Sequence, residues 1–102
     1  MNTYKKGLNF ELEVKRLLED NNYFVVHSAG SRGPVDLVAF WNSLVYFIQC
    51  KCNHRIPLHT TDNLIEVARQ HNAVPTYAKR EKGKTILINL TTHQIILEKK
   101  AD

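Results

Sequence analysis

Two cysteines are all the chain contains, Cys50 and Cys52. Two cysteines two positions apart on one strand share a face and are poorly placed to bridge, which excludes a disulfide-stapled secreted scaffold. They read as reduced core residues. Adding His54 and His59 to them gives four metal-binding side chains, but at a spacing that matches no established zinc pattern. The chain also lacks any apolar run near the length of a membrane span, and any charged start followed by an apolar signal region. A cytoplasmic location with no membrane association is expected. The sequon at Asn89-Leu90-Thr91 then has no glycosylation to report, since that modification needs a secretory route. With only four glycines and three prolines in 102 residues, and no repeat or low-complexity linker, nothing divides the sequence. One domain spanning 1–102 is expected.

What is present is enough for a single modest core and a surface of one dominant sign. Hydrophobic residues make up 43% of the chain, and the formal charge is +4 with a pI near 9.2. A basic balance favours a polyanionic partner without proving one. From Lys5 to Asn21 the apolar residues Phe10, Val14, Leu17 and Leu18 recur at helical spacing and form one stripe. Glu11 falls on the rim of that stripe beside Leu18, with Gly7 one turn earlier leaving space above it. Glu13 lies on a different face and reads as an ordinary solvated residue. Tyr23 to His27 reads as a strand. Ser28 to Pro34 is a small-residue loop suited to close approach by a phosphate backbone.

The densest stretch is Val35 to Lys51. Val35-Asp36-Leu37-Val38-Ala39-Phe40-Trp41 and Leu44-Val45-Tyr46-Phe47-Ile48-Gln49-Cys50-Lys51 flank Asn42-Ser43, which predicts a β-hairpin with a two-residue loop. In that register Trp41 faces Leu44 and Asp36 faces Gln49, with Cβ atoms about 5 Å apart. Lys51 points to the same face as Gln49, within diagonal reach of Asp36. A polar trio on a strand is ordinarily a solvated ion pair of little consequence. Here the neighbours are almost all apolar, so the hairpin is expected to be covered on both faces, where an Asp and a Lys need a reason.

Beyond it, Asn53 to His59 is irregular, and Thr60 or Thr61 is expected to cap a helix running to about Asn72. Val74 to Lys79 and Thr85 to Leu90 read as strands joined through the charged turn Arg80-Glu81-Lys82-Gly83-Lys84. Gln94 to Glu98 reads as a last short strand.

Tyr4-Lys5-Lys6-Gly7 with Glu11, Val25 to Ser31 (Val-Val-His-Ser-Ala-Gly-Ser), Val35 to Ala39 (Val-Asp-Leu-Val-Ala) and Gln49-Cys50-Lys51 resemble, in order and spacing, the archaeal Holliday junction resolvases of the PD-(D/E)xK nuclease superfamily. The resemblance covers roughly residues 4 to 80. It implies an α/β, restriction-endonuclease-like fold with a central mixed sheet flanked by helices. It also implies a homodimeric, metal-dependent, structure-selective endonuclease that cuts four-way DNA junctions. The expected catalytic set is Glu11, Ser31, Asp36, Gln49 and Lys51. The expected ligands for Mg²⁺, or Mn²⁺ in its place, are Glu11, Asp36, Gln49 and the main-chain carbonyl of Cys50. Lys5, Lys6, Arg32 and Arg55 are the expected DNA-contacting cations.

One departure stands out, since Gln49 occupies the position where the family usually has Glu. Two carboxylates suffice in principle for Mg²⁺, which keeps several waters, and the Gln49 amide oxygen can still be a ligand, but the lost charge should weaken binding. A branched-DNA-binding protein without cleavage, or a repair or restriction nuclease on another DNA substrate, are the alternatives. For the dimer contact, the apolar run Ile56-Pro57-Leu58 is the candidate.

Overall fold

The apolar stripe read from the sequence organises the first helix. In the computed structural model, which describes residues 3–28, 33–52, 56, 59 and 61–100, α1 spans Thr3–Asp20. Phe10, Val14, Leu17 and Leu18 are all buried along one side of it. The helix stops at Asn22, whose left-handed backbone (φ 71°) lets the Tyr23 N–H return to the Leu18 carbonyl at 3.0 Å. Asn tolerates that conformation better than most side chains, so the pair Asn21-Asn22 ends the helix. Asn72 (φ 55°) serves the same purpose after the second helix, where the Ala73 N–H donates to the Ala68 carbonyl at 2.8 Å.

Six strands follow in sequence order across one sheet: β1 Phe24–His27, β2 Leu37–Trp41, β3 Leu44–Cys50, β4 Val74–Glu81, β5 Lys84–Asn89 and β6 Ile95–Lys100. Only β3 and β4 run parallel, and α2 (Asp62–Gln70) is their crossover. All the other neighbours are antiparallel. A mixed sheet flanked by helices is therefore the architecture, as the resemblance implied.

The hairpin forms with Trp41 paired to Leu44 and Asn42 and Ser43 both at positive φ (50° and 64°). These are the two left-handed positions of a primed turn whose twist matches the strands. The ladder stops at Leu37–Ile48, so Asp36 and Gln49 are not a ladder pair as expected, because the chain bends at Asp36.

Pleating divides the sheet's faces. Leu37, Ala39, Tyr46 and Ile48 turn toward α1 and build the main core with Phe10 and Val14. On the other face Tyr77, Leu64 of α2 and Leu90 form a smaller cluster. Both cysteines belong to the main core, Cys50 buried and Cys52 packed against it.

Several expectations need correction. Thr61 sits at the start of α2, but its backbone is helical and its side chain makes no capping bond; it is buried instead. The β4–β5 connection is only Lys82-Gly83, with φ of 50° and 75°, and Arg80, Glu81 and Lys84 belong to the strands. Of the run considered for a dimer contact, Ile56 is partly buried against the Leu64–Tyr77–Leu90 cluster, and Pro57 and Leu58 lie outside the described residues. The exposed apolar surface is elsewhere, on the α2 side of edge strand β1 and its neighbour β2. Phe24 is 68% exposed and its cross-strand partner Phe40 40%, with ring centroids 6.0 Å apart. Val26 stands beside them, 48% exposed. Among the described residues no helix is long and apolar enough to cross a membrane.

Candidate active site

Asp36 is placed by backbone bonds to the ends of both neighbouring strands. Its N–H donates to the Ile48 carbonyl at 2.8 Å, and its carbonyl accepts from the Ser28 N–H at 2.9 Å. With the main chain so fixed just before β2, the carboxylate folds back in the sheet plane and Oδ2 accepts the Cys50 N–H at 2.8 Å. Burial pushes the Asp36 carboxyl above its ordinary range, and the Cys50 N–H opposes that rise. The neighbouring Glu11 carboxylate raises it further, while Lys51 and His27 pull it down. Desolvation of a charged group is the cause that prevails.

Glu11 reaches this end of the sheet from α1. Residues 23, 25 and 27 of the β1 region face the helix, and His27 meets Glu11 there, Nε2 to Oε1, at 2.7 Å. Both side chains are largely shielded, at 16% exposed for His27 and 23% for Glu11. Gln49 projects to the opposite face. Its Oε1 is buried, and among the described residues it has no hydrogen-bond partner. Lys51 follows the end of β3, its N–H donating to the Ala78 carbonyl at 3.0 Å and its side chain exposed. Its charge is felt at Asp36.

Glu11, Asp36 and Lys51 thus come near one another where β1 ends, β2 begins and β3 ends, while the Gln49 side chain stands at the same end of the sheet on its α2 face. Lys5 and Lys6 are exposed in the first turns of α1, and Lys6 bears electrostatically on Cys52, just past Lys51. Ser31, Arg32 and Arg55 lie outside the described residues.

Three features escaped the sequence reading. His27 is one, although its place in phase with Tyr23 and Val25 pointed it toward α1. Tyr77 is another: it is the parallel-ladder partner of Gln49, with a buried hydroxyl that also lacks a partner among the described residues. The third is Glu13, expected to be merely solvated. Its carboxylate takes hydrogen bonds from Arg80 and from Thr85 Oγ1, the latter at 2.7 Å, and Arg80 lies over the Phe10 ring, 5.2 Å from its centroid. Burial acts to raise the Glu13 pKa, but those bonds and the charges of Arg80 and Lys99 outweigh it, and the net shift is downward. A cleft of about 570 Å³ beside Glu13, lined by Leu12, Arg16, Lys99 and Lys100 among others, includes none of the expected site residues.

The donor set suits a hard cation. The Asp36 and Glu11 carboxylates, and a buried amide oxygen that has no hydrogen-bond partner among the described residues, are oxygen donors of the kind Mg²⁺ or Mn²⁺ takes. A soft zinc cage is a poorer fit. Among the described residues no three His, Cys, Asp or Glu side chains cluster as a ligand set. Cys50 is in the core, its thiol pushed well up, by burial first and then by Asp36 and Glu11. His59 is exposed beside Asp62, and His54 lies outside the described residues.

The family model described as archaeal Holliday junction resolvase (Hjc) matches residues 2–101. The chain belongs to that family. A curated relative, the crossover junction endodeoxyribonuclease Hjc of Methanocaldococcus jannaschii, is 34% identical over 90 residues, covering 84% of this chain and 67% of the relative. Among solved structures, the Hjc Holliday junction resolvase of Archaeoglobus fulgidus superposes with a TM-score of 0.69 at 22% identity, over 84% of this chain and 74% of that one. At that identity the superposition establishes the shared resolvase fold. It is the restriction-endonuclease-like fold that the resemblance implied.

Proposed function

We propose that this chain is a metal-dependent endodeoxyribonuclease that resolves four-way DNA junctions by paired phosphodiester hydrolysis. The observation that carries the reading is the proximity of Glu11, Asp36 and Lys51 at one end of the sheet, where Asp36 Oδ2 accepts the Cys50 N–H. Glu11, Asp36, Gln49 Oε1 and the Cys50 main-chain carbonyl would hold Mg²⁺, or Mn²⁺ in its place. Such a cation supplies neutralisation of the phosphate charge and acidification of water.

The remaining work belongs to the chain's own groups. Lys51, exposed beside Asp36, orients the attacking water and stabilises charge as it develops on the phosphate. His27 fixes the Glu11 carboxylate so that it meets the site in one orientation. Following the resemblance, Ser31 supports catalysis, and Lys5, Lys6, Arg32 and Arg55 contact the DNA backbone, which sets affinity and position rather than sequence choice. The cytoplasmic location expected from the sequence is compatible with such a substrate.

One chain carries one such set, whereas a junction needs two opposed cuts, so the working unit is a C2 homodimer. The exposed Phe24–Val26–Phe40 face on β1 and β2 is the contact best suited to it, being apolar and at the sheet edge. Light scattering should report twice the chain mass.

A second reading follows from Gln49, which leaves one carboxylate fewer than the family usually has. A protein so altered could bind branched DNA without cutting it. Titrating Mg²⁺ against an end-labelled four-way junction, a linear duplex and a flap separates the two. Paired cuts confined to the junction support resolution. Tight binding with no cut at any Mg²⁺ or Mn²⁺ concentration would establish the binding-only reading, and preferred cutting of the flap would indicate a repair nuclease.

A further inference from the structure

Gln49 and Tyr77 are register partners across the parallel β3/β4 ladder, so their side chains stand side by side on the face that carries α2. Each ends in a polar atom that is buried and, among the described residues, has no hydrogen-bond partner: Gln49 Oε1 and Tyr77 Oη. Buried polar atoms are overwhelmingly satisfied in folded proteins, so two neighbouring exceptions call for a partner that would satisfy them. The third such atom, Arg80 Nε, sits on a guanidinium already engaged by Glu13, so only Gln49 and Tyr77 form a pair of this kind.

Tyr77 is wholly buried with Leu64 and Leu90. Phenylalanine would fill that apolar space equally well, so the hydroxyl is the atom that packing leaves unexplained. Its surroundings point to the active site, since Asp36 and Cys50 act on it electrostatically. The two oxygens belong to one register pair and do not bond each other, and a single water between them would give each a partner.

We propose that Tyr77 is a positioning residue for the metal site, its hydroxyl donating to a water that donates in turn to Gln49 Oε1. This rests on the metal-dependent reading given above. A primary amide presents an oxygen at one end and an NH₂ at the other, and only the oxygen can face a cation. A carboxylate needs no such sorting, because both of its ends accept. The Tyr77 bridge selects the orientation in which the Gln49 oxygen lies at the shared end, with one lone pair for the water and the other for the cation. Substituting Gln for an acid thereby becomes workable at this position.

The test is isothermal titration of Mn²⁺ into the wild type, Tyr77→Phe, Gln49→Ala and the double variant, with melting temperatures recorded for each. Tyr77→Phe should weaken Mn²⁺ binding about tenfold. In the Gln49→Ala background the same change should have almost no further effect. The metal-free Tyr77→Phe protein should melt no lower than the wild type, since a hydroxyl that serves the site is not needed by the core. In its amide NMR spectrum the Gln49 side-chain NH₂ pair should move. Unchanged Mn²⁺ affinity in Tyr77→Phe would overturn the proposal, as would an equal loss in both backgrounds or a Tyr77→Phe protein that fails to fold. Should the wild type bind no Mn²⁺ and cut junctions without added metal, the underlying metal reading itself would be wrong.

Discussion

Glu11 and Glu13 are two positions apart on α1 and enter opposite kinds of surroundings. Glu13 ends in a closed network: Arg80 and Thr85 both donate to it, Arg80 covers Phe10, and the carboxyl is held below its ordinary range despite partial burial. Glu11 joins an open one. Held by His27, it shares the end of the sheet with Asp36, whose carboxyl burial pushes upward, and with the Gln49 and Tyr77 oxygens across the sheet, which lack hydrogen-bond partners among the described residues. The flank formed by α1, β4 and β5 answers its charges and so contributes to the fold. The end of β1, β2 and β3 leaves polar groups short of partners, a cost that a stable fold has no use for and a ligand would relieve.

The largest expected effect falls on the open end. Lys51→Ala should lower junction cleavage by on the order of a thousandfold, through loss of transition-state charge stabilisation. Junction binding measured by gel shift should stay within a few fold, since backbone contacts are distributed over many cations. Cleavage that survives this change would remove Lys51 from the site.

Next in size is Gln49→Glu. Restoring a charged ligand beside Asp36 should reduce the Mg²⁺ concentration needed for half-maximal cleavage by about tenfold. A higher requirement in the Glu variant would show instead that the amide makes a bond the acid cannot.

The closed flank should respond in stability alone. Glu13→Ala removes an acceptor of two hydrogen bonds, and because the side chain is about half exposed, about 1 kcal/mol is expected after solvent screening. Because the folded Glu13 pKa is depressed, its contribution is present at and above the ordinary glutamate range and is lost as pH falls through the lowered value. The gap in melting temperature between wild type and Glu13→Ala should therefore close in acid. Asp36 has the opposite sign. Its folded pKa is raised, so its ionised form costs stability at neutral pH, and that cost is relieved as pH falls into the raised range. Asp36→Asn should melt slightly higher than the wild type at neutral pH, an advantage that disappears on acidification. Thermal melts across the acid range check both signs together.

Local signals explain what was legible beforehand. The Asn42-Ser43 loop set the hairpin pairing from Trp41–Leu44 to Leu37–Ile48, but the Asp36–Gln49 pairing extrapolated from it fails because the chain bends at Asp36. The α1 stripe placed Glu11 at its rim. What escaped depends on contacts between distant elements. A parallel pairing through a helical crossover has no turn to set its register, so Tyr77 beside Gln49 could not be read from the chain. Glu13 looked solvated because its partners, Arg80 and Thr85, come from strands more than sixty residues later. His27 was within reach of the period-two rule, but its meaning needed Glu11 across the helix–sheet contact.

The contrast between the two carboxylate sites is tested most directly by one assay: the single-turnover rate of four-way junction cleavage in Mg²⁺ for wild type, Asp36→Ala and Glu13→Ala, each assayed well below its melting temperature. The account predicts no measurable paired cleavage by Asp36→Ala and a rate within about twofold of wild type for Glu13→Ala, whose change lies outside the reacting groups. Wild-type rates from Asp36→Ala, or equal loss in both variants while both remain folded, would contradict it.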